Sequence, residues 1–219
     1  MGKIQWKPGN MVYPLPAVIV TCGESEEEYN GITIAWTGTI CTNPPMTYIS
    51  VRPSRHSYDI IKKQGGFVIN LTTEELTFAT DYLGVRSGAK EDKLSNMKLD
   101  YDIGEIIKAP LLKKSPVCIE CKTREIKELG SHHMFMAEVV KVHVDEAYID
   151  STDRFHLERS NPIVYSHGNY YGLGDYQGKF GYSVTKKKNK AKKTSSNKKK
   201  TSSNKHRKPN SHNSSKGKK

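Results

Sequence analysis

MTYISVRPSRHSYDIIKK, residues 46–63, changes pattern twice in a short span. Met46 to Val51 alternates as a β-strand does. Tyr58 to Lys63 carries the apolar pair Ile60 and Ile61 and stops before Gly65, as a short helix does. Between them Arg52-Pro-Ser-Arg-His-Ser57 holds two guanidiniums, an imidazole and two hydroxyls. With Ser57, or Ser54 one turn earlier, as N-cap, the turn delivers these side chains to a helix N-terminus. Free backbone N–H groups, the positive end of the helix dipole and two arginines would then converge, which is the chemistry of a phosphate site. A solvated basic turn with an ordinary serine cap has the same spacing, so the neighbouring segments have to decide.

Those segments are strand-rich. Pro16 to Thr21 is an apolar run of buried-strand length, and GESEEEYNG (23–31) after it is an acidic, glycine-bounded turn. Gly31 to Thr42 alternates, with Ile32, Ile34, Trp36 and Ile40 on one face and Thr33, Ala35, Thr37 and Thr39 on the other. The second face is small and hydroxyl-rich, a shelf on which a planar ring could lie. NPP (43–45) breaks the run, Met46 to Val51 resumes it, and Phe67 to Leu71 adds a strand bearing Asn70. Thr72 to Lys108 reads as helix and loop, with SGAKEDK (87–93) as a polar turn, and Val117–Thr123 and Met134–Val144 are strand-like again. At least six strands with short helices predict a mainly β fold, a closed or nearly closed antiparallel barrel, because closure removes exposed edges. Tyr165 to Tyr182, glycines among tyrosines, is expected to be an irregular cap. A phosphate turn beside a Thr/Ala shelf suits an FMN-like ligand.

Composition separates body from tail. Residues 186–219 hold 15 Lys and Arg and no acid; removing them from the chain's 35 basic residues leaves 20 against 23 acids, a net −3 for residues 1–185. The predicted organisation is therefore a mildly acidic domain, 1–185, and a disordered Lys-rich tail, 186–219, able to contact nucleic acid or an anionic surface weakly through counterion release. No apolar stretch has the length of a membrane span and MGKIQWKPGN lacks an apolar signal core, which points to the cytoplasm. Cys22, Cys41, Cys118 and Cys121 read as reduced thiols. Cys118 and Cys121, three apart on a strand, face opposite ways, and no second pair completes a zinc site.

PLPAVIVTC, NGITIAWTG, NPPMTYISVRPSRHSYDII, GGFVINL, SGAKEDK and ELGSHHMFMAEVV follow one another in the order and spacing of the flavoredoxin branch of the flavin reductase-like proteins, which residues 10–180 resemble. The resemblance implies an FMN-binding split β-barrel, a homodimer with the flavin near the subunit interface, and NAD(P)H as reductant. It assigns the phosphate to Arg52, Ser54, Arg55, His56 and Ser57, with His56 where a tyrosine is more common. It assigns the ring to Thr33, Ala35, Trp36, Thr37 and Asn70, and further flavin contacts to Ser87, Gly88 and Lys93. GSHHMFMAEV resembles a Gly-Asp-His motif whose histidine lies near the nicotinamide; His132 matches it, while Ser131 replaces the acid and Ala137 a glycine. His133, on the other strand face, is read as structural.

The expected function is an oxidoreductase passing hydride from NAD(P)H through FMN to an acceptor, either free flavin or a redox protein. The protein's part would be orientation. The alternative is an electron carrier that keeps its FMN and is reduced by a protein partner.

Overall fold

A computed structural model describes residues 1–185; the expected Lys-rich tail, 186–219, lies outside the described residues. Met1–Asp175 forms one compact unit and a second begins at Tyr176, whose described part contains a 3-10 turn at Tyr182–Val184. The first unit is mainly β. In chain order it runs β1 (Leu15–Pro16), β2 (Val18–Cys22), β3 (Asn30–Ile34), β4 (Thr37–Thr42), β5 (Pro45–Val51), α1 (His56–Gln64) and β6 (Gly66–Asn70). Two short helices follow, α2 (Thr77–Val85) and α3 (Lys93–Asn96), then β7 (Tyr101–Ile103) and β8 (Pro110–Leu112). The long pair β9 (Val117–Glu128) and β10 (His133–Val144) precedes a hairpin, β11 (Ile163–Ser166) and β12 (Asn169–Gly172). No helix among the described residues is long and apolar enough to cross a membrane.

Seven strands form one antiparallel sheet in the order β3-β2-β6-β9-β10-β5-β4. Its two edges, β3 and β4, are consecutive in sequence with only Ala35 and Trp36 between them, so one bent stretch of chain closes the barrel. The Ser50 amide donates to the Trp36 carbonyl at 2.9 Å across that bend. Gly31 to Thr42 is thus two strands and not the single alternating strand the sequence predicts. A register shift between Thr39 and Cys41 breaks the alternation again, and Ile40, expected on one face with the buried Ile32 and Ile34, is 46% exposed. The barrel interior holds Val18, Val20, Ile32, Ile49, Phe67 and Phe135. Outside it, Ile19 packs with Leu76, Leu83 and Leu94 under α2 and α3. Both faces of β2 are therefore buried, which accounts for its unbroken apolar run.

Tyr165 to Tyr182 is not an irregular cap throughout: β11 and β12 pair within it, and β1 adds to β11. The turn between them places His167 at φ 48° and Gly168 at φ 87°, the two positive dihedrals of a tight hairpin turn. Histidine supplied the first of them, so the usual Asn-Gly signal was absent. Cys118 and Cys121 do face opposite ways, into separate apolar clusters, and burial pushes the thiols up to about 11 and about 12.

One buried acid organises the far side of the sheet. Glu120 on β9 is fully buried and accepts from the amides of Glu105, Ile106 and Ile107 at 2.6 to 3.0 Å, with His143 Nε2 at 2.7 Å. Burial pushes this carboxyl up, but the histidine and the three amides outweigh it and hold the acid below its ordinary value. Its stabilisation is present at neutral pH and is lost as pH falls below the ordinary glutamate range. Glu120→Ala takes the acceptor from three amides, that of Ile107 buried, and from His143, and should lower the unfolding free energy by about 3 kcal/mol. Glu120→Gln, which keeps an acceptor, should cost less; equal midpoints for both variants in urea would contradict this role.

Candidate active site

The break between β3 and β4 opens a cleft. With a volume of about 400 Å³, it is floored by Thr33, Ala35 and Trp36 and flanked by Ser50, Arg52 and Arg55. His132, at the turn before β10, lies over Trp36 with ring centroids 4.3 Å apart. The opposite wall comes from α2, through Asp81 and Gly84, and from the small sheet, through Tyr165 and Tyr170 with Tyr13 just before β1. The Tyr170 hydroxyl donates to Asp81 at 3.3 Å, joining the two. Gly84 lets α2 cross close over β3, since a Cβ there would lie 3.2 Å from that of Thr33. The Thr33 hydroxyl is anchored on the Thr80 carbonyl of the same helix.

A smaller chamber of about 190 Å³ adjoins the cleft and shares Ile32, Arg55 and Gly84 with it. Ser54, Arg55, His56, Ser57, Gly88 and Lys93 line it, which brings the expected phosphate turn together with the 87–93 segment expected to make further flavin contacts. The N-cap of α1 is Arg55, in extended conformation, and no side chain caps the helix, which corrects the expectation of Ser57 or Ser54. Ser57 lies inside the first turn, buried, and accepts from Asn30 Nδ2 at 2.7 Å. The first-turn amides of His56 and Ser57 have no intrahelical acceptor and stand at the chamber.

Lys93 is the chamber's buried cation, 3% exposed, and its ammonium donates to the carbonyls of Leu83 at 3.0 Å and Arg86 at 3.2 Å. Those carbonyls end α2, the negative pole of that helix. Burial pushes the ammonium down to about 8, with the Arg55 charge acting the same way. Among the described residues, none of Arg52, Arg55 and Lys93 has a carboxylate within 4.0 Å. A Cβ on Gly88 would lie 2.3 Å from Asn30 Oδ1 and 3.0 Å from the His56 ring, so only glycine lets the 87–89 turn close on the chamber. Uncompensated cations, hydroxyls and free amides in a small cradle fit a phosphate monoester. The adjoining aromatic cleft fits a planar ring.

The sequence matches the flavin reductase like domain over residues 10–174. The chain belongs to the flavin reductase like family. Among solved structures it is similar to the flavoredoxin of Desulfovibrio vulgaris (Miyazaki F), with a TM-score of 0.78 and 26% identity over 84% of this chain and 100% of that one. A flavoredoxin from Methanosarcina acetivorans shares the fold at a TM-score of 0.76 and 24% identity, over 84% of this chain and 100% of its own. Among curated relatives, an NADH-dependent FMN reductase of Streptomyces nodosus subsp. asukaensis is 23% identical over 80% of this chain and 86% of its own. The split-barrel fold expected from the sequence is therefore the observed one.

Two residues assigned to the ring, Asn70 and Thr37, do not line the cleft. Asn70, the last residue of β6, is fully buried, donating to the Ile19 carbonyl and the Thr21 hydroxyl and accepting from the Leu112 amide at 2.9 to 3.1 Å. Thr37 is 8% exposed and donates to the Tyr48 carbonyl at 2.6 Å, since the chain has turned into β4 by that point. Conversely, Asp81, Tyr13, Tyr165 and Tyr170 line the cleft without a sequence signal, because only the return of the β11–β12 hairpin brings the tyrosines there. His133 is structural, 2.8 Å from the Tyr58 hydroxyl.

The Lys93 environment gives a pH dependence. With its ammonium near 8 in the ligand-free protein, a bound phosphate favours the charged form and raises it. Binding of FMN should thus be constant from pH 7 to near 8 and weaken by up to about tenfold per unit above that. Lys93→Met should bind more weakly at pH 7 and lose the alkaline dependence; a slope that survives the substitution would contradict the assignment.

Proposed function

We propose that the protein binds FMN across this cleft and acts as an NAD(P)H-dependent oxidoreductase. The observation that carries the reading is the continuity of an aromatic, ring-sized cleft with an uncompensated cationic chamber, the two joined at Arg55. Bound FMN would supply the two-electron chemistry, taking a hydride and handing electrons to an acceptor. Arg55, Lys93, Ser54 and the first turn of α1 hold the phosphate, which fixes the ring over Thr33, Ala35 and Trp36. Arg52 and His132 stand at the open side of that shelf.

His132 suits a neutral orienting role. Burial, then the nearby Arg52 and Arg55 charges, push its imidazole below the usual histidine value. The Ser131 hydroxyl is 3.0 Å from Nδ1, and when it donates there Nε2 carries the proton and can donate toward a nicotinamide carboxamide. The relative named as an NADH-dependent FMN reductase supports this reading. Ser131, neutral where the family motif has an acid, favours a second one, an FMN electron carrier without a nicotinamide site.

Anaerobic addition of NADH or NADPH to the protein with stoichiometric FMN separates them. Bleaching of the flavin bands is the outcome expected of a reductase, whereas bleaching by dithionite alone would establish the carrier. His132→Ala should slow that bleaching at least about tenfold, the scale of one orienting hydrogen bond, with the FMN dissociation constant within about twofold. Arg55→Ala should raise the constant by about ten- to a hundredfold, the loss of one charged hydrogen-bonding group. Unchanged FMN affinity in Arg55→Ala would contradict the phosphate assignment.

A further inference from the structure

The ring cleft has walls of opposite charge. Arg52 and Arg55 flank the shelf, and the wall facing it carries Asp81, the only acid among the described residues that line the cleft. Among the described residues, no Lys, Arg or His nitrogen lies within 4.0 Å of that carboxylate. Its partner is the Tyr170 hydroxyl, and burial, then the Asp81 charge, push that phenol up to about 12, so that it stays a neutral donor. Tyr170 and Tyr165, with ring centroids 5.7 Å apart, and Tyr13, 6.3 Å from Tyr165, make the rest of the wall aromatic. Holding FMN accounts for the arginines but not for this wall. A carboxylate repels a phosphate, and the oxidised flavin ring carries no charge for it to meet.

We infer that Asp81 is a catalytic residue of the hydride step, its carboxylate stabilising the positive charge that develops on the nicotinamide. The inference rests on the reductase reading of the same cleft and extends it. A ring laid on the shelf turns its other face toward the Asp81 wall, and the hydride donor has to approach from there. The C4–H bond of the dihydronicotinamide breaks, and the hydrogen leaves with both bonding electrons to bond to the flavin at N5. The nicotinamide, oxidised by two electrons, becomes a pyridinium cation, and the flavin, reduced by the same two, gains one negative charge. Charge that neither reacting ring carries at the start thus appears across the cleft in the transition state, where fixed groups of matching sign already stand on each side. The guanidiniums of Arg52 and Arg55 lie on the flavin side. On the donor side both the carboxylate and the tyrosine faces attract a cation.

The test uses the full chain loaded with FMN, wild type and Asp81→Asn. Asparagine keeps an oxygen that accepts from Tyr170 and removes only the charge. Anaerobic bleaching by saturating NADH or NADPH should slow about tenfold in the variant, the scale of one charge in a cleft open to solvent, with the FMN dissociation constant within about twofold. Two unreactive rings then read the charge at equilibrium: nicotinamide methylated at its ring nitrogen, a cation, and nicotinamide itself, which is neutral. Each is titrated through the shift it causes in the oxidised flavin bands. Wild type should bind the cation more tightly by about fivefold or more, and Asp81→Asn should bring the two toward equality. Bleaching of the variant at the wild-type rate would overturn the inference and leave the reductase reading standing. A slowed variant with no preference for the cation in wild type would also overturn it, since the loss would then be structural. Failure of both nucleotides to bleach the wild-type protein would overturn the reductase reading and this inference with it.

Discussion

An antiparallel sheet must hide its two edges, and this chain does so by making both from one stretch of backbone interrupted at Ala35 and Trp36. The interruption closes the barrel and also creates the cleft, because two residues that leave the ladder cannot be covered by a neighbouring strand. Ser50 satisfies the Trp36 carbonyl from β5, so the bend is held without a regular ladder. Fold and site thus share a cause. The same two residues that end one strand and begin the next become the floor on which a ring can lie.

The second constraint is electrostatic. The body carries more acids than bases, yet Arg55 and Lys93 gather at one end of the cleft and, among the described residues, neither has a carboxylate within 4.0 Å. Burying Lys93 in that setting costs free energy, and the carbonyl end of α2 offsets only part of it, as its lowered ammonium value shows. An anion would remove the remaining cost. Lys93 reaches the chamber because α3, a helix of only four residues, is fixed by Asp92 accepting from the Ser95 amide at 3.0 Å.

Local pattern made the strand, turn and helix around residues 46–63 legible, and with them the Ser54–Ser57 side of the cationic chamber, whereas Gly88 and Lys93 came only from the family resemblance and Asn30 from neither. The ring side was legible only in part. Thr33 and Ala35, placed on one face by alternation, do line the cleft, but alternation assumes an unbroken strand, and beyond Trp36 that assumption kept Thr37 on their face and Ile40 on that of Ile32 and Ile34. Asn70 shows the complementary limit. A polar residue in an apolar strand signals either a ligand or a buried hydrogen-bonding need, and only the positions of Ile19, Thr21 and Leu112 decide which.

The two halves of the site are kept in register by β3. Asn30 at its start holds Ser57 beside the anion chamber, Ile32 lines both spaces, and the strand runs on into Ala35 and Trp36 at the ring floor. The rise of a strand puts about 17 Å between Asn30 and Ala35, a span that suits a ring, a short polyol chain and a phosphate in line. β3 is paired to β2 along its whole length and packed from inside by Ile32 and Ile34, so this distance does not adjust to the ligand. A rigid ruler of this kind selects for ligand length before any side chain selects for chemistry.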